Sequence, residues 1–193
     1  EQVRRSPGGV IVKPRCQDAV RYDAVFLACH SDQALALLAD PTRAEREVLS
    51  AIRFQRNEAV LHTDARLLPR RRLAWAAWNY HVVPENAGPV APTYNMNILQ
   101  RLVTPRPLLV TLNRTAAIDP RSVIRCLSYE HPLFTTASVQ AQQRHRDLNG
   151  NAGTYYCGAW WRNGFHEDGV VSALTAVDHF EHDHAQRTLY RSA

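Results

Sequence analysis

Lysine is all but absent from this chain. Lys13 stands alone among 23 Lys and Arg residues, so arginine carries the net charge of +5. A bias of that kind reads as a coding preference rather than a nucleic-acid code, and no nucleic-acid partner is expected. Arg70-Arg71-Arg72 after Pro69 reads as a solvated loop, with peripheral membrane contact or an anionic ligand as the alternative. Methionine is equally scarce: Met96 is the only one, and position 1 is Glu. With a strand-like opening, this predicts a chain that begins inside a fold. Long apolar runs are missing too. None approaches the roughly 20 residues that span a bilayer, and residues 1–5 do not resemble a secretory signal. A cytoplasmic location is therefore expected. Cys16, Cys29, Cys126 and Cys157 are scattered, with no C-x-x-C pair, so reduced thiols are expected in place of disulfides or a zinc site.

What remains is ordinary for a globular chain. There are 193 residues, 45% hydrophobic and 21% charged, enough to bury a core. Residues 3–5 and 10–12 flank Ser6-Pro7-Gly8-Gly9, a hairpin signal. The apolar run 22–29 reads as a strand buried on both faces. Ser31 is expected to cap a helix from Asp32 to Leu38, broken by Pro41. Thr42 is expected to cap a second, over 43–50. Strands are then expected at 59–62, 73–80, 93–98, 108–112 and 123–129, separated by loops bearing Pro84, Pro89, Pro92, Pro105 and Pro107. Sequential strands with short links predict a largely antiparallel sheet. Residues 138–148 read as a helix ended by Asn149-Gly150.

The most informative stretch is 154–174. It runs Thr154-Tyr155-Tyr156-Cys157-Gly158-Ala159-Trp160-Trp161, then Arg162-Asn163-Gly164-Phe165-His166-Glu167-Asp168-Gly169 and an apolar helix. A strand, a Gly-bounded turn and a helix opening on two carboxylates suit an electron-rich ligand oxygen. Spacing alone also reads the turn as a capped helix start, with Asp168 as the cap.

Asp23-Ala24-Val25-Phe26-Leu27-Ala28-Cys29, continuing through Leu38, resembles a signature of bacterial flavin-containing amine-oxidase-like proteins. These are described as NAD/FAD-binding oxidoreductases. Tyr94-Asn95-Met96-Asn97, His131-Pro132 and residues 157–169 are similar to later blocks of that family, in the same order. The resemblance covers nearly the whole chain. It implies an α/β (α+β) fold. A mostly antiparallel or mixed substrate-domain sheet with helices would be combined with part of the sheet and the C-terminal strand–turn–helix of a Rossmann-like FAD domain. On that basis residues 1–40 belong to the FAD-binding domain, 41–135 to the substrate-binding domain, and 136–182 to the returning FAD domain. Residues 183–193 form a polar tail. The G-x-G-x-x-G phosphate motif of such proteins is absent from these 193 residues; Gly8-Gly9 and Gly150/Gly153 do not fit its spacing. The chain therefore resembles a C-terminal half, expected to be inactive and to bind FAD weakly by itself.

The resemblance also implies site residues. Gly158 would end a strand beside a non-covalent FAD, since Cys157 lacks the context of a covalent attachment. Gly164, Phe165, His166, Glu167, Asp168 and Gly169 would run along the flavin. Amides of Gly169 and Val170 would face the pyrimidine end. The implied chemistry is hydride transfer from a C–N or C–C bond to flavin N5. An apolar fatty-acyl lipid is one expected substrate and an amine the other. The catalytic residue is open, with His166 as the candidate or a merely local partner of Glu167. Trp78, Asn79, Tyr94, Asn95, Trp160 and Trp161 are candidate substrate residues, with Asn97 as a further polar anchor. Trp75, Trp78, Tyr80 and Tyr94 read equally as sheet packing. The acidic and histidine-rich run His179, Glu181, His182, Asp183, His184 reads as a solvated tail rather than a metal site. A stand-alone, non-enzymatic ligand- or lipid-binding module is the alternative to an enzyme.

Overall fold

The computed structural model describes residues 1–82 and 90–191, the last five by backbone alone. Pro84 and Pro89 lie outside the described residues. The chain runs β1 (Gln2–Ser6), β2 (Gly9–Lys13), β3 (Val20–Tyr22), β4 (Val25–Leu27), α1 (Ser31–Leu37), α2 (Arg43–Ala51), β5 (Phe54–His62) and β6 (Trp78–His81). It continues with β7 (Ala91–Asn95), α3 (Met96–Leu99), β8 (Leu109–Leu112), β9 (Val123–Pro132), α4 (Thr136–Gln142), α5 (His145–Leu148), β10 (Thr154–Tyr156) and α6 (His166–Arg191). It divides into two compact units. Unit 1 is Glu1–Gln55 with Pro132–Ala193, and unit 2 is Arg56–His131.

The fold is of mixed α/β type. In unit 1, β1 and β2 form the expected hairpin around Pro7-Gly8, and β3 extends it to an antiparallel sheet in the order β1-β2-β3. Beside that sheet, β10 pairs with β4 in parallel, with Tyr155 opposite Phe26 and Tyr156 opposite Leu27. The apolar run 22–29 is thus two short strands broken at Asp23-Ala24. Phe26 is exposed and Leu27 buried, so the run is not covered on both faces.

Helices and strands share the unit 1 core. Val48 and Leu49 of α2, Ala34 of α1, Ala141 of α4 and Leu148 of α5 gather with Val3, Val10, Leu27, Tyr156, Trp160 and Trp161. α2 therefore packs within unit 1, and the two compact units meet along the chain at 55/56 and 131/132. Thr42 caps α2 as expected, through a capping box with Glu45. Ser31 does not cap α1. His30 is the N-cap, and Ser31 is the first helical residue, buried with its hydroxyl donating to Ile52 O at 2.5 Å. The helix expected over 138–148 is two helices, α4 and α5. The expected polar tail is also helical, because α6 runs on to Arg191. Asp183 within it accepts a hydrogen bond from Tyr155 Oη at 2.9 Å.

Unit 2 is built on a five-stranded sheet in the order β6-β7-β8-β5-β9. The β6–β7, β7–β8 and β5–β8 pairs are antiparallel, as the short proline-bearing links imply. Residues 73–77 are not strand. A 3-10 turn at Arg72–Ala74 precedes β6, with the Arg72 guanidinium 5.4 Å from the Trp75 ring. Residues 96–98 turn into α3, because the Asn95 side chain accepts the Ile98 amide and starts a helix. Among the described residues no helix is long and apolar enough to cross a membrane.

Candidate functional site

The closing turn of unit 1 is built around Gly158 and Asp168. Strand β10 ends at Tyr156, and Cys157 N still donates to Leu27 O at 3.1 Å. At Gly158 φ is +153°, and a Cβ there would lie 2.4 Å from Trp160 Nε1. Only glycine lets the chain turn this tightly over the indole. Gly158 N donates to Ser172 Oγ at 2.8 Å, which ties the turn to α6. Gly164, at φ +89°, makes the second reversal.

Asp168 is nearly buried and serves as the cap. Its Oδ2 accepts the amides of Phe165 at 3.0 Å and Asn163 at 3.2 Å, and Oδ1 lies 3.6 Å from Arg162 Nε. This is one half of a capping box at the start of α6. The carboxylate of Asp168 is therefore spent on the turn and does not face a ligand. Gly169 N donates to Phe165 O at 3.2 Å, the first i→i−4 bond of the helix. So the amides of Gly169 and Val170 lie inside the helix and are not the outward donors expected of them. The amides that precede the first intrahelical bond are those of His166, Glu167 and Asp168. His166 and Glu167 are exposed, as are residues 162–165. Here the turn offers donors at the positive end of a 26-residue helix.

Around this turn the apolar side chains divide sharply. Trp160 and Trp161 are 3% and 5% exposed and belong to the core, and Trp161 reaches a cavity only with one edge of its buried ring. Phe165, Val170 and Leu174 are exposed. A cavity of about 180 Å³ lies on another side of α6, lined by His145, Trp161, Arg162, Val171, Ser172 and Thr175. Burial pushes the Cys157 and Cys29 thiols up, away from the thiolate, which leaves no activated cysteine beside His166.

In unit 2 the candidate substrate residues fall on opposite faces of the sheet. Trp78 is paired with Tyr94, Tyr94 with Val110, and Val110 with Leu61, so these four side chains share one face. Trp78 and Tyr94 meet edge to face at 5.5 Å between ring centroids. Tyr80, Pro92 and Leu112 continue the face. Trp78 and Tyr80 are exposed. Asn79 and Asn95 point the other way. Asn79 Nδ2 donates to Ala76 O at 2.8 Å and Thr93 O at 3.3 Å, while Asn95 caps α3. Asn97 holds Leu108 N, Leu102 O and Thr104 Oγ1. All three amides complete the local backbone; none anchors an open cavity.

Unit 1 also holds a polar centre whose members lie far apart in sequence. Arg5 and the buried Glu45 form an ion pair, Tyr156 Oη donates to Glu45 Oε1 at 2.5 Å, and Thr42 N donates to Oε2 at 2.7 Å. The capping-box spacing Thr42-x-x-Glu45 marked the carboxylate, but nothing local marked Arg5 or Tyr156 as its partners. Burial, then the adjacent carboxylate, pushes the Tyr156 phenol far up, so it stays a donor.

No protein-family model and no curated protein sequence matches the chain. Solved structures do match it by fold. A protein named as a protoporphyrinogen oxidase of Exiguobacterium sp. 255-15 is 14% identical, with a TM-score of 0.64 over 94% of this chain and 46% of that one. A CLA-producing fatty acid isomerase of P. acnes is 16% identical, with a TM-score of 0.52 over 87% and 44%. Cyclohexylamine oxidase of Brevibacterium oxydans IH-35A is 11% identical, with a TM-score of 0.53 over 94% and 48%. The chain has the fold of the amine-oxidase-type flavoproteins. It spans under half the length of these three structures. The start of α6 keeps the amides of His166, Glu167 and Asp168 outside the intrahelical ladder, a donor set that would suit one edge of an electron-rich ring. The phosphates of a dinucleotide find no glycine-rich loop in these 193 residues.

Proposed function

We propose that this chain is part of a flavin-dependent oxidoreductase, and that the turn from Gly158 to Asp168 borders a non-covalent FAD. The observation that carries the reading is the exposed start of α6. Its first amides and the helix dipole favour negative charge on an acceptor ring. When bound, FAD supplies a two-electron acceptor for hydride removed from a C–N or C–C bond. The chain's own residues orient and enclose. Asp168 holds the turn in shape through the amides of Asn163 and Phe165, and Gly158 keeps Trp160 packed beneath it. His166 is the first residue of α6 and exposed, so it is the candidate to hold a proton near those donors. Hydride removal does not itself require such a base.

The missing phosphate loop belongs, on this reading, to a segment that completes the sheet of unit 1. The parallel pair β4–β10 supports this: each strand has three residues, and parallel sheets are ordinarily larger and covered on both faces. For substrate, an apolar ligand is preferred. Trp78, Tyr80, Tyr94, Val110 and Leu61 carry no charge, and fatty-acyl carbon fits such a face. An amine is the rival. A non-enzymatic lipid-binding module would use the same aromatic face without any flavin.

FAD titration distinguishes these. The chain joined to a phosphate-binding segment should take up FAD with the absorbance of a bound flavin. Unsaturated acyl lipids should bleach that absorbance and amines should not. Bleaching by amines alone moves the substrate class. A joined protein that binds acyl lipid but never flavin overturns the oxidoreductase reading in favour of the binding module.

A further inference from the structure

Unit 2 carries four polar side chains in one unbroken row, one from each of four neighbouring strands. His62 Nε2 on β5 lies 2.8 Å from Thr111 Oγ1 on β8. Thr111 Oγ1 lies 2.7 Å from Thr93 Oγ1 on β7. Thr93 Oγ1 lies 2.9 Å from His81 Nε2 on β6. Strand register places His62 opposite Leu109 and Thr111 opposite Val60, so the first link runs diagonally between neighbours on the same face. His62, Thr93 and Thr111 are fully buried, and His81 is half-buried. All four lie on the face opposite Trp78 and Tyr94.

The protons in this row can be counted. The Asp64 amide donates to His62 Nδ1 at 3.1 Å. An amide cannot accept, so Nδ1 carries no proton and the proton of neutral His62 sits on Nε2. That proton goes to Thr111 Oγ1. Thr111 must then place its own proton, and Thr93 Oγ1 is the acceptor in reach. Thr93 in turn donates to His81 Nε2. In this direction each hydroxyl donates once and nothing is stranded. If His81 Nε2 carried a proton instead, two donors would converge on one hydroxyl, and one buried O–H would lose its acceptor. The row cannot relax by reversing, because reversal ends at His62, whose Nδ1 is already occupied by the Asp64 amide.

We propose that His62, Thr111, Thr93 and His81 form a one-way hydrogen-bond chain that pins His81 as the neutral Nδ1–H tautomer, and that this chain is a pH-sensitive lock on the sheet of unit 2. Protonating His81 puts a second donor on Thr93 and breaks the order of the row. The charged groups around the two ends act unequally. At His62, Asp64 favours a proton, but its carboxylate is committed to Arg66 and to the Asp119 amide. Burial outweighs it and pushes His62 down. At His81, burial and then the Arg114 guanidinium both push down. Both ends therefore resist charge, for reasons separate from the hydroxyl order. None of this depends on the flavin reading.

Imidazole nitrogen NMR of the intact chain reports the tautomers directly. Above neutral pH, His62 should be Nε2–H and His81 Nδ1–H, and His81 should titrate below the ordinary histidine range. Thr111→Val removes the central hydroxyl and should release the His81 tautomer bias and bring its titration toward the ordinary range. Thr111→Ser keeps the hydroxyl and should leave both unchanged. An Nε2–H tautomer at His81 in the natural sequence overturns the proposal, as does an identical His81 titration in the Val and Ser variants. Should Thr111→Val fail to fold, the natural chain's His81 tautomer decides alone.

Discussion

Single residues in this chain act through what they leave unpaired when removed. Glu45 is the clearest case, since its two oxygens serve Arg5 and Tyr156 on one side and the start of α2 on the other. Glu45→Ala leaves the buried Arg5 guanidinium with only the more exposed Asp40 carboxylate at 3.5 Å, and should cost about 2–4 kcal/mol in chemical denaturation, below the penalty of a wholly unpaired buried charge. Glu45→Gln keeps the shape and should cost less, and equal losses in the two variants would show that charge pairing is not the reason. His145 gives a pH dependence. Its ring stands 4.5 Å from Trp161 and 5.6 Å from His179, and Nε2 lies 3.1 Å from Tyr156 O. Burial pushes both histidines down; at His145 the Tyr156 carbonyl opposes this and His179 adds to it, while at His179 Arg146 and His182 add and Asp183 and Asp178 oppose. A lowered folded value means the unfolded chain binds more protons. Stability is then complete above the unfolded value of about 6.5 and lost as pH falls through the folded values. Denaturation midpoints should fall from pH 7.5 to pH 5, and the fall should shrink in His145→Phe.

At the scale of elements, α6 shows how a helix start is both built and made available. Asp168 closes the turn behind it, while the amides of His166 and Glu167 remain at the open end. Asp168→Ala should cost about 0.5–2 kcal/mol as a lost cap. It should also weaken flavin binding in a protein able to bind it, because the turn that positions those amides loosens. Asp168→Asn keeps an acceptor and should recover most of the stability. Unchanged denaturation midpoints in Asp168→Ala would refute the capping role. The sheet of unit 2 divides its own chemistry by parity. One face carries Trp78 and Tyr94, and the other carries Asn79, Thr93, Thr111 and His62. Alternation made the aromatic pair legible. It also placed Asn79 on the far side, against its expected role. Asn95 faces that side as well, where its side chain caps α3, a role open to Asn wherever a strand turns into a helix.

For the whole molecule, the fold places the exposed start of the long helix α6 in unit 1, and no G-x-G-x-x-G motif occurs in these 193 residues. FAD titration of these 193 residues alone should give no tight, stoichiometric complex, and calorimetry that finds one would contradict the view that the phosphate grip lies elsewhere. The hairpin at Pro7-Gly8, the capped helix after Thr42 and the turn at Gly164 follow from local preference: proline and glycine set the turn dihedrals, Thr and Asp cap, and alternation sets the faces. These were legible because each depends on residues within a few positions of one another. The division at 55 and 131, the parallel pairing of β4 with β10, the burial of Trp160 and Trp161, and the Arg5–Glu45–Tyr156 centre were not. The sequence by itself determined which segments could be strands, turns or helices, and which one resembled a flavin-facing turn. Only the tertiary structure decided which polar groups spend their hydrogen bonds inside the molecule, because partners such as Glu45 and Tyr156, 111 residues apart, meet only when the helices close over the sheet.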